Sequence, residues 1–186
     1  MTDYFHLFGV PRGPALDAEM LKEKFHKLTA EHHPDVAKTD ADFALINEAY
    51  RTLSDPLLCL RHFIQLEFPS ALRAEQNMPE DLVQLFMHIA TVRRAIDAFV
   101  ARETQISSPL LRAHLASERL DILDQLDSSL AFVTETHDAL FADLPHVDWK
   151  KNRETVAEGF AMAHHMLSFL SKWRRQLMED RVRLQM

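Results

Sequence analysis

The chain has one cysteine, three glycines and no long apolar run, and each shortage excludes a class of function. A lone Cys59 rules out an internal disulfide and every Cys-x-x-Cys metal or redox motif. The glycines stand apart at 9, 13 and 159, so no glycine-rich loop is present to cradle a phosphate. The richest apolar stretch, Leu57 to Phe68, is interrupted by Arg61 and His62 and falls well short of a membrane span. Asp3 follows the start directly and the folded pattern begins by Tyr4, which does not read as a signal peptide. A net charge of −7 disfavours non-specific binding to nucleic acid. These readings place the protein in a reducing compartment, with the cytoplasm as the expected location.

Leucine and alanine are abundant and period-two alternation is almost absent, so the expected fold class is all-α. Leu21, Phe25, Leu28 and His32 form one helical stripe, and Phe43, Ile46, Tyr50, Leu53 and Leu57 form a second. Asp17 is placed to cap a helix from Ala18 to about His32, and Asp40 one running to about Leu53. Pro56 sits in the first turn of a further helix that ends near Phe68 and Pro69. Cys59 lies inside it and reads as a small buried apolar residue. Residues 70–79 are polar and read as a connector.

Beyond the connector three long heptad-like patterns follow. Leu85, Ile89, Val92, Ile96 and Phe99 make one seam on a helix opened by Pro79. Leu123, Leu126, Leu130, Val133, His137 and Leu140 make a second, on a helix opened by Ser108 and Pro109. Val156, Phe160, Ala163, Leu167 and Leu170 make a third, on a helix expected to start at Trp149 behind an Asp148 cap. Long helices joined by short loops imply antiparallel neighbours. The sequence therefore predicts two domains, 1–69 and 79–186, the second a three-helix bundle.

Candidate chemistry is sparse. Adjacent helical residues point about 100° apart, so His32 with His33 and His164 with His165 are poor chelates. No third ligand stands at a suitable spacing, and no metal or other cofactor is expected. No nucleophile–base constellation is identifiable along the chain, which therefore reads as a non-enzyme. The informative element is His33-Pro34-Asp35, between the first two stripes. Pro34 disfavours helix at His33 and cannot continue one, so the chain must turn there. The turn presents an imidazole and a carboxylate at a helix–helix corner, where the carboxylate can accept a bidentate hydrogen bond from another protein's arginine.

An amphipathic helix, His33-Pro34-Asp35, then Ile46-Asn47-Glu48-Ala49-Tyr50-Arg51-Thr52-Leu53-Ser54-Asp55-Pro56 resembles a J domain, the co-chaperone module that stimulates ATP hydrolysis by DnaK-type chaperones. The opening Asp3-Tyr4-Phe5-His6-Leu7-Phe8-Gly9-Val10 is similar to the short first helix of that module. The resemblance implies an antiparallel hairpin carrying the His-Pro-Asp loop. It also implies chaperone-binding positions on the preceding helix, which fall here on Lys22, His26 and Lys27. Lys22 and His26 are i,i+4 neighbours, whereas Lys27 lies four residues from both Glu23 and Glu31. The first 68 residues carry seven basic and eleven acidic side chains, more acidic than such modules usually are.

A J domain followed by a three-helix bundle resembles HscB, the co-chaperone family of iron–sulfur cluster assembly. Leu167-Ser168-Phe169-Leu170-Ser171-Lys172-Trp173 is similar to that family's Leu-x-Phe-Leu-x-Lys-Leu run, and Trp149 stands seven residues before Val156 as a tryptophan does there. The resemblance implies a DnaK/HscA-type chaperone and an IscU-like scaffold as partners. By position it puts the client-binding face on Phe86, Met87, Ala90, Arg94 and Phe169. On the helix from Pro79, Val83, Met87, Ala90 and Arg94 point away from the apolar seam, and Phe86 and Asp97 lie nearer its edge. On the last helix, Met162, Met166 and Trp173 flank Phe169 off the seam. Two alternatives stay open: a general J protein for unfolded clients, or a structural adaptor with a degenerate J domain.

Overall fold

A computed structural model describes residues 1–31, 40–73 and 77–185. Among them the chain is helical without strands. Seven α-helices run α1 (Tyr4–Phe8), α2 (Ala18–Glu31), α3 (Asp40–Ser54), α4 (Pro56–Glu67), α5 (Glu80–Thr104), α6 (Pro109–Asp143) and α7 (Arg153–Gln185), with short 3-10 turns at Ala71–Arg73 and Leu144–His146. They form two compact units, residues 1–76 with 142–164 and residues 77–141 with 165–186. The ranges expected from sequence differ from these chiefly in segment 142–164, which belongs with the first unit.

Helix starts follow the capping chemistry in the first unit. The Asp17 carboxylate accepts the Met20 N–H at 2.7 Å, and Asp55 accepts the Leu58 N–H at 2.9 Å with Pro56 in the first turn. Asp3 caps α1 through the His6 N–H, and Gly9 closes it at φ 58°, a left-handed conformation open to glycine at no steric cost. In the hairpin of α2 and α3, Leu21, Ile46 and Leu53 are buried and the Phe25 ring stacks on Tyr50 at 4.1 Å. Cys59 is buried, and that burial pushes its thiol up to about 12, so at neutral pH it stays a protonated, inert core residue.

An aromatic cluster explains why segment 142–164 joins this unit. Phe63 of α4 meets Phe68, Trp149 and Phe160 edge to face at 6.1, 5.3 and 5.4 Å. Phe160 therefore serves this cluster rather than the seam expected for it in the bundle. Around it, Glu67 accepts from Arg12 at 2.8 Å and from Arg153 at 3.2 Å, while the Arg153 guanidinium lies over the Phe68 ring. The start of α7 corrects the sequence reading. Asp148 accepts the Lys150 N–H in a local turn instead of capping a helix, and Asn152 adopts φ 44°. The helix begins only at Arg153 because a left-handed residue cannot sit inside a right-handed helix.

The second unit is the expected bundle, and side-chain pairs give its directions. Glu103 meets Arg119 as Arg102 meets Glu118, and His88 reaches Ser129 further back along α5. Numbers rise on α5 while falling on α6, so these two are antiparallel. Asp127 with Arg181 and Asp138 with Arg174 show the same relation between α6 and α7. Arg93 with Asp180 and Asp97 with Arg183 rise together, so α5 and α7 are parallel. The core between them holds Leu82, Ile89, Val92, Ile96 and Phe99 from α5 and Ile122, Leu126 and Val133 from α6. It is completed by Leu170, Trp173, Leu177 and Leu184 from α7. The α7 seam thus continues past Leu170, and Trp173 is core at 4% exposure rather than a surface flank.

One polar residue inside the first core has a measurable consequence. His62 is buried, stacks against Tyr4 and Phe5, and accepts the Tyr4 N–H on Nε2 at 3.1 Å. Burial holds its basicity below the usual histidine range, Asp3 pulling it up and Arg12 pushing it down. Because the unfolded chain protonates first, stability is retained above the ordinary histidine pKa and lost as pH falls below it toward the folded value. The expected outcome is that thermal melts between pH 7.5 and pH 5 show a smaller loss for His62→Gln than for wild type, read as the difference between the two profiles. Parallel profiles would mean that His62 protonates freely in the fold.

Candidate chaperone-facing and client-facing surfaces

The Asp17 cap sets the register of α2, and with Leu21 facing inward the helix must turn Lys22, His26 and Lys27 outward. All three are exposed. His33, Pro34 and Asp35 lie outside the described residues. The base of the hairpin is fixed from the other side by α1. Arg12 donates to Asp3 at 2.5 and 2.9 Å. Burial alone would raise the Asp3 carboxyl, but the Arg12 hydrogen bond and the His6 N–H hold it below the usual carboxylate range. A short helix of five residues has little stability of its own, and α1 is held by burial of Phe5 and Phe8 and by the His62 ring that accepts the Tyr4 N–H.

In the second unit the five expected client-facing residues divide by depth. Phe86 and Met87 are 47% and 56% exposed, Arg94 is exposed, and Ala90 and Phe169 are half-buried. Arg94 folds back along α5, donating from Nε to the Ala90 carbonyl at 3.2 Å. The rings of Phe86 and Phe169 both lean on the Trp173 ring, at 5.9 and 5.7 Å, and His165 meets Phe169 edge-on at 4.9 Å. The residues brought together are therefore Phe86 from α5 and Phe169 from α7, over a tryptophan floor. Sequence reasoning missed that floor, whereas Val83, expected to point away from the seam, is 42% exposed one turn before Met87. Helical angle placed Val83, while Trp173 required knowing which way α7 turns.

Also missed is a serine–histidine–aspartate set in the second unit. His137 Nδ1 stands 2.9 Å from Asp138 Oδ1, and its Nε2 stands 3.1 Å from Ser171 Oγ. The serine comes from α7 and the other two residues from α6, a separation no local motif reveals. A second pair, His88 Nε2 and Ser129 Oγ at 3.1 Å, links α5 to α6.

Residues 3–59 match the DnaJ domain family, which makes this a J-domain protein. Over 139 residues the chain is 33% identical to a "Co-chaperone protein HscB homolog" of Chromobacterium violaceum, spanning 69% of this chain and 76% of that one. A protein of the same description from Aeromonas hydrophila is 27% identical over 138 residues, 69% of this chain and 80% of the other. The solved structure "Chaperone HscB from Vibrio cholerae" superposes with a TM-score of 0.62 at 22% identity, covering 98% and 99% of the two chains, and so shares the fold. The chain belongs to the HscB family of J-domain co-chaperones. Among the described residues, no helix is long and apolar enough to cross a membrane.

Depth on the client-facing side sets an order of stability effects. Trp173→Ala is expected to cost about 3–5 kcal/mol, as for other buried aromatics. Phe169→Ala, half-buried against the same core, should cost roughly 1–3 kcal/mol, and exposed Met87→Ala within about 0.5 kcal/mol of nothing. Denaturant titration of the three variants checks the order. A Met87→Ala loss equal to that of Phe169→Ala would place Met87 in the core.

Proposed function

We propose that the chain stimulates the ATPase of a DnaK/HscA-type chaperone through His33-Pro34-Asp35 and brings to it an IscU-like iron–sulfur scaffold held on the second unit. The carrying observation is that relatedness to HscB homologues runs over 139 residues, well past the DnaJ domain at 3–59. A general J protein shares the trigger, but it does not require the rest of the chain to follow HscB. The exposed Phe86 and Met87 supply an apolar patch of the kind proteins keep for partners, with Phe169, Ala90 and Arg94 as its remaining proposed contacts.

In this reading the two halves have separate duties. Asp35 engages an arginine of the chaperone, with His33 and Pro34 shaping the turn, and Lys22, His26 and Lys27 steer α2 onto an acidic surface. The bundle supplies the cargo. Neither duty needs a cluster or nucleotide held by this chain.

Asp35→Asn should abolish stimulation of the chaperone's ATPase, measured in single turnover, while leaving the melting temperature and scaffold affinity unchanged. Met87→Ala should do the reverse and lose scaffold affinity, since interface anchors are worth about 2 kcal/mol or more. Full stimulation by Asp35→Asn would remove the trigger from the account, and full affinity in Met87→Ala would remove the patch. Charge reversal on α2 gives a finer test. Lys22→Glu should weaken chaperone binding more than Lys27→Glu, whose field Glu23 and Glu31 already offset, and the difference should shrink as salt rises. Equal, salt-insensitive losses would mean that α2 docks by other contacts.

A further inference from the structure

Two histidine–serine pairs tie the bundle together, and their hydrogens run in opposite directions. Ser129 donates its hydroxyl proton to the Gln125 carbonyl at 2.8 Å, so its oxygen is left to accept from His88 Nε2–H. In the other pair the Asp138 carboxylate can only accept, which puts the His137 proton on Nδ1. When the ring is neutral it offers a bare Nε2, to which Ser171 donates its O–H. This is the polarity in which an imidazole acts as general base toward a serine, with a carboxylate fixing the tautomer.

The serine is also reachable. Ser171 is half-buried and borders a shallow, open groove along one face of α7, lined with Arg174, Arg175, Met178, Glu179 and Val182. Met178 and Val182 are each 54% exposed and give the groove an apolar side. Arg174 stands at its head, with Nη1 3.7 Å from Asp138 Oδ1. That ion pair is loose, which leaves the guanidinium able to meet a developing oxyanion. No backbone pair does this, because Ser171 lies in the middle of α7, where N–H groups are committed to the helix ladder.

We propose that Ser171 is an activated nucleophile that takes a short acyl group from an activated ester and retains it. Ser171 Oγ forms a bond to the carbonyl carbon as its proton passes to His137 Nε2. The bond from that carbon to the ester oxygen then breaks, and the alcohol or phenolate leaves with the electron pair. The imidazolium returns its proton to solvent. With a single cation and no backbone oxyanion hole, deacylation is slow, so the product is a stoichiometric O-acylserine rather than turnover. The site lies on the α6–α7 side of the bundle, apart from Phe86 and Met87, and does not depend on the proposed scaffold binding.

The test uses the full chain and p-nitrophenyl acetate, with the acylated residue located by peptide mass mapping. The expected result is a single burst of nitrophenolate, about one equivalent, with the acetyl group on Ser171 and none on Ser129. His137→Gln should slow acetylation of Ser171 by about a hundredfold, the usual weight of a general base. His137 is buried, so its variant is checked for helicity. If it is unfolded, Asp138→Asn, checked for helicity in the same way, decides instead, since that side chain is exposed. This variant should slow acetylation by roughly tenfold or more through loss of the fixed tautomer. Acetyl groups found on lysines but not on Ser171, or labelling of Ser171 at wild-type rate in the folded variants, would overturn the proposal.

Discussion

Burial of the Trp173 indole between α5 and α7 is the contact on which the second unit depends. At 4% exposure it is a full member of the core, yet the rings of Phe86 and Phe169 rest on it near the surface. The parallel course of α5 and α7, held by Arg93 with Asp180 and by Asp97 with Arg183, brings those two phenylalanines side by side. Asp180 is itself buried and receives both arginines. Removing both arginines would strand that buried charge, which is a far larger cost than losing an exposed ion pair. Core and proposed client surface thus share one anchor.

The first unit solves a different problem. Its short α1 and its hairpin bury Phe5, Phe8, Leu21, Ile46 and Leu53, and the unit enlarges that core with Trp149 and Phe160 from much later in the chain. Glu67 gathers Arg12 and Arg153 at the same place. The J-domain sequence pattern stops before these residues, while the cluster that completes its packing does not. This is a physical reason why relatedness to HscB extends well beyond the DnaJ domain.

Much of this was legible in the residues. Asp17 and Pro56 announced their helices because cap and first-turn chemistry are local, and the α5 seam read true because its helix buries one face along its length. What failed was non-local. His62 looked like a polar break in an apolar run, yet it is core, because its one free nitrogen meets the Tyr4 N–H fifty-eight positions away. Trp173 looked like a flank because α7 changes the neighbours it packs against along its length. The start of α7 was misplaced by four residues since Asp148 can make a turn as readily as a cap, and only the backbone of Asn152 decides between them. Of the proposed sites, Phe86 and Met87 were reached from helical angle together with the resemblance to HscB, whereas Ser171 and His137 come from helices whose pairing no local pattern fixes.

The central claim is that one molecule must both hold its cargo and trigger the chaperone, each through its own unit. The most direct measurement mixes two singly disabled proteins, Asp35→Asn and Met87→Ala, and follows scaffold-dependent ATP hydrolysis by the HscA-type chaperone. The account predicts that the mixture stays well below wild type at equal total concentration, because a trigger without cargo and cargo without a trigger do not add up to delivery. Recovery of wild-type stimulation by the mixture would show that the two units need no covalent connection, and would contradict the account.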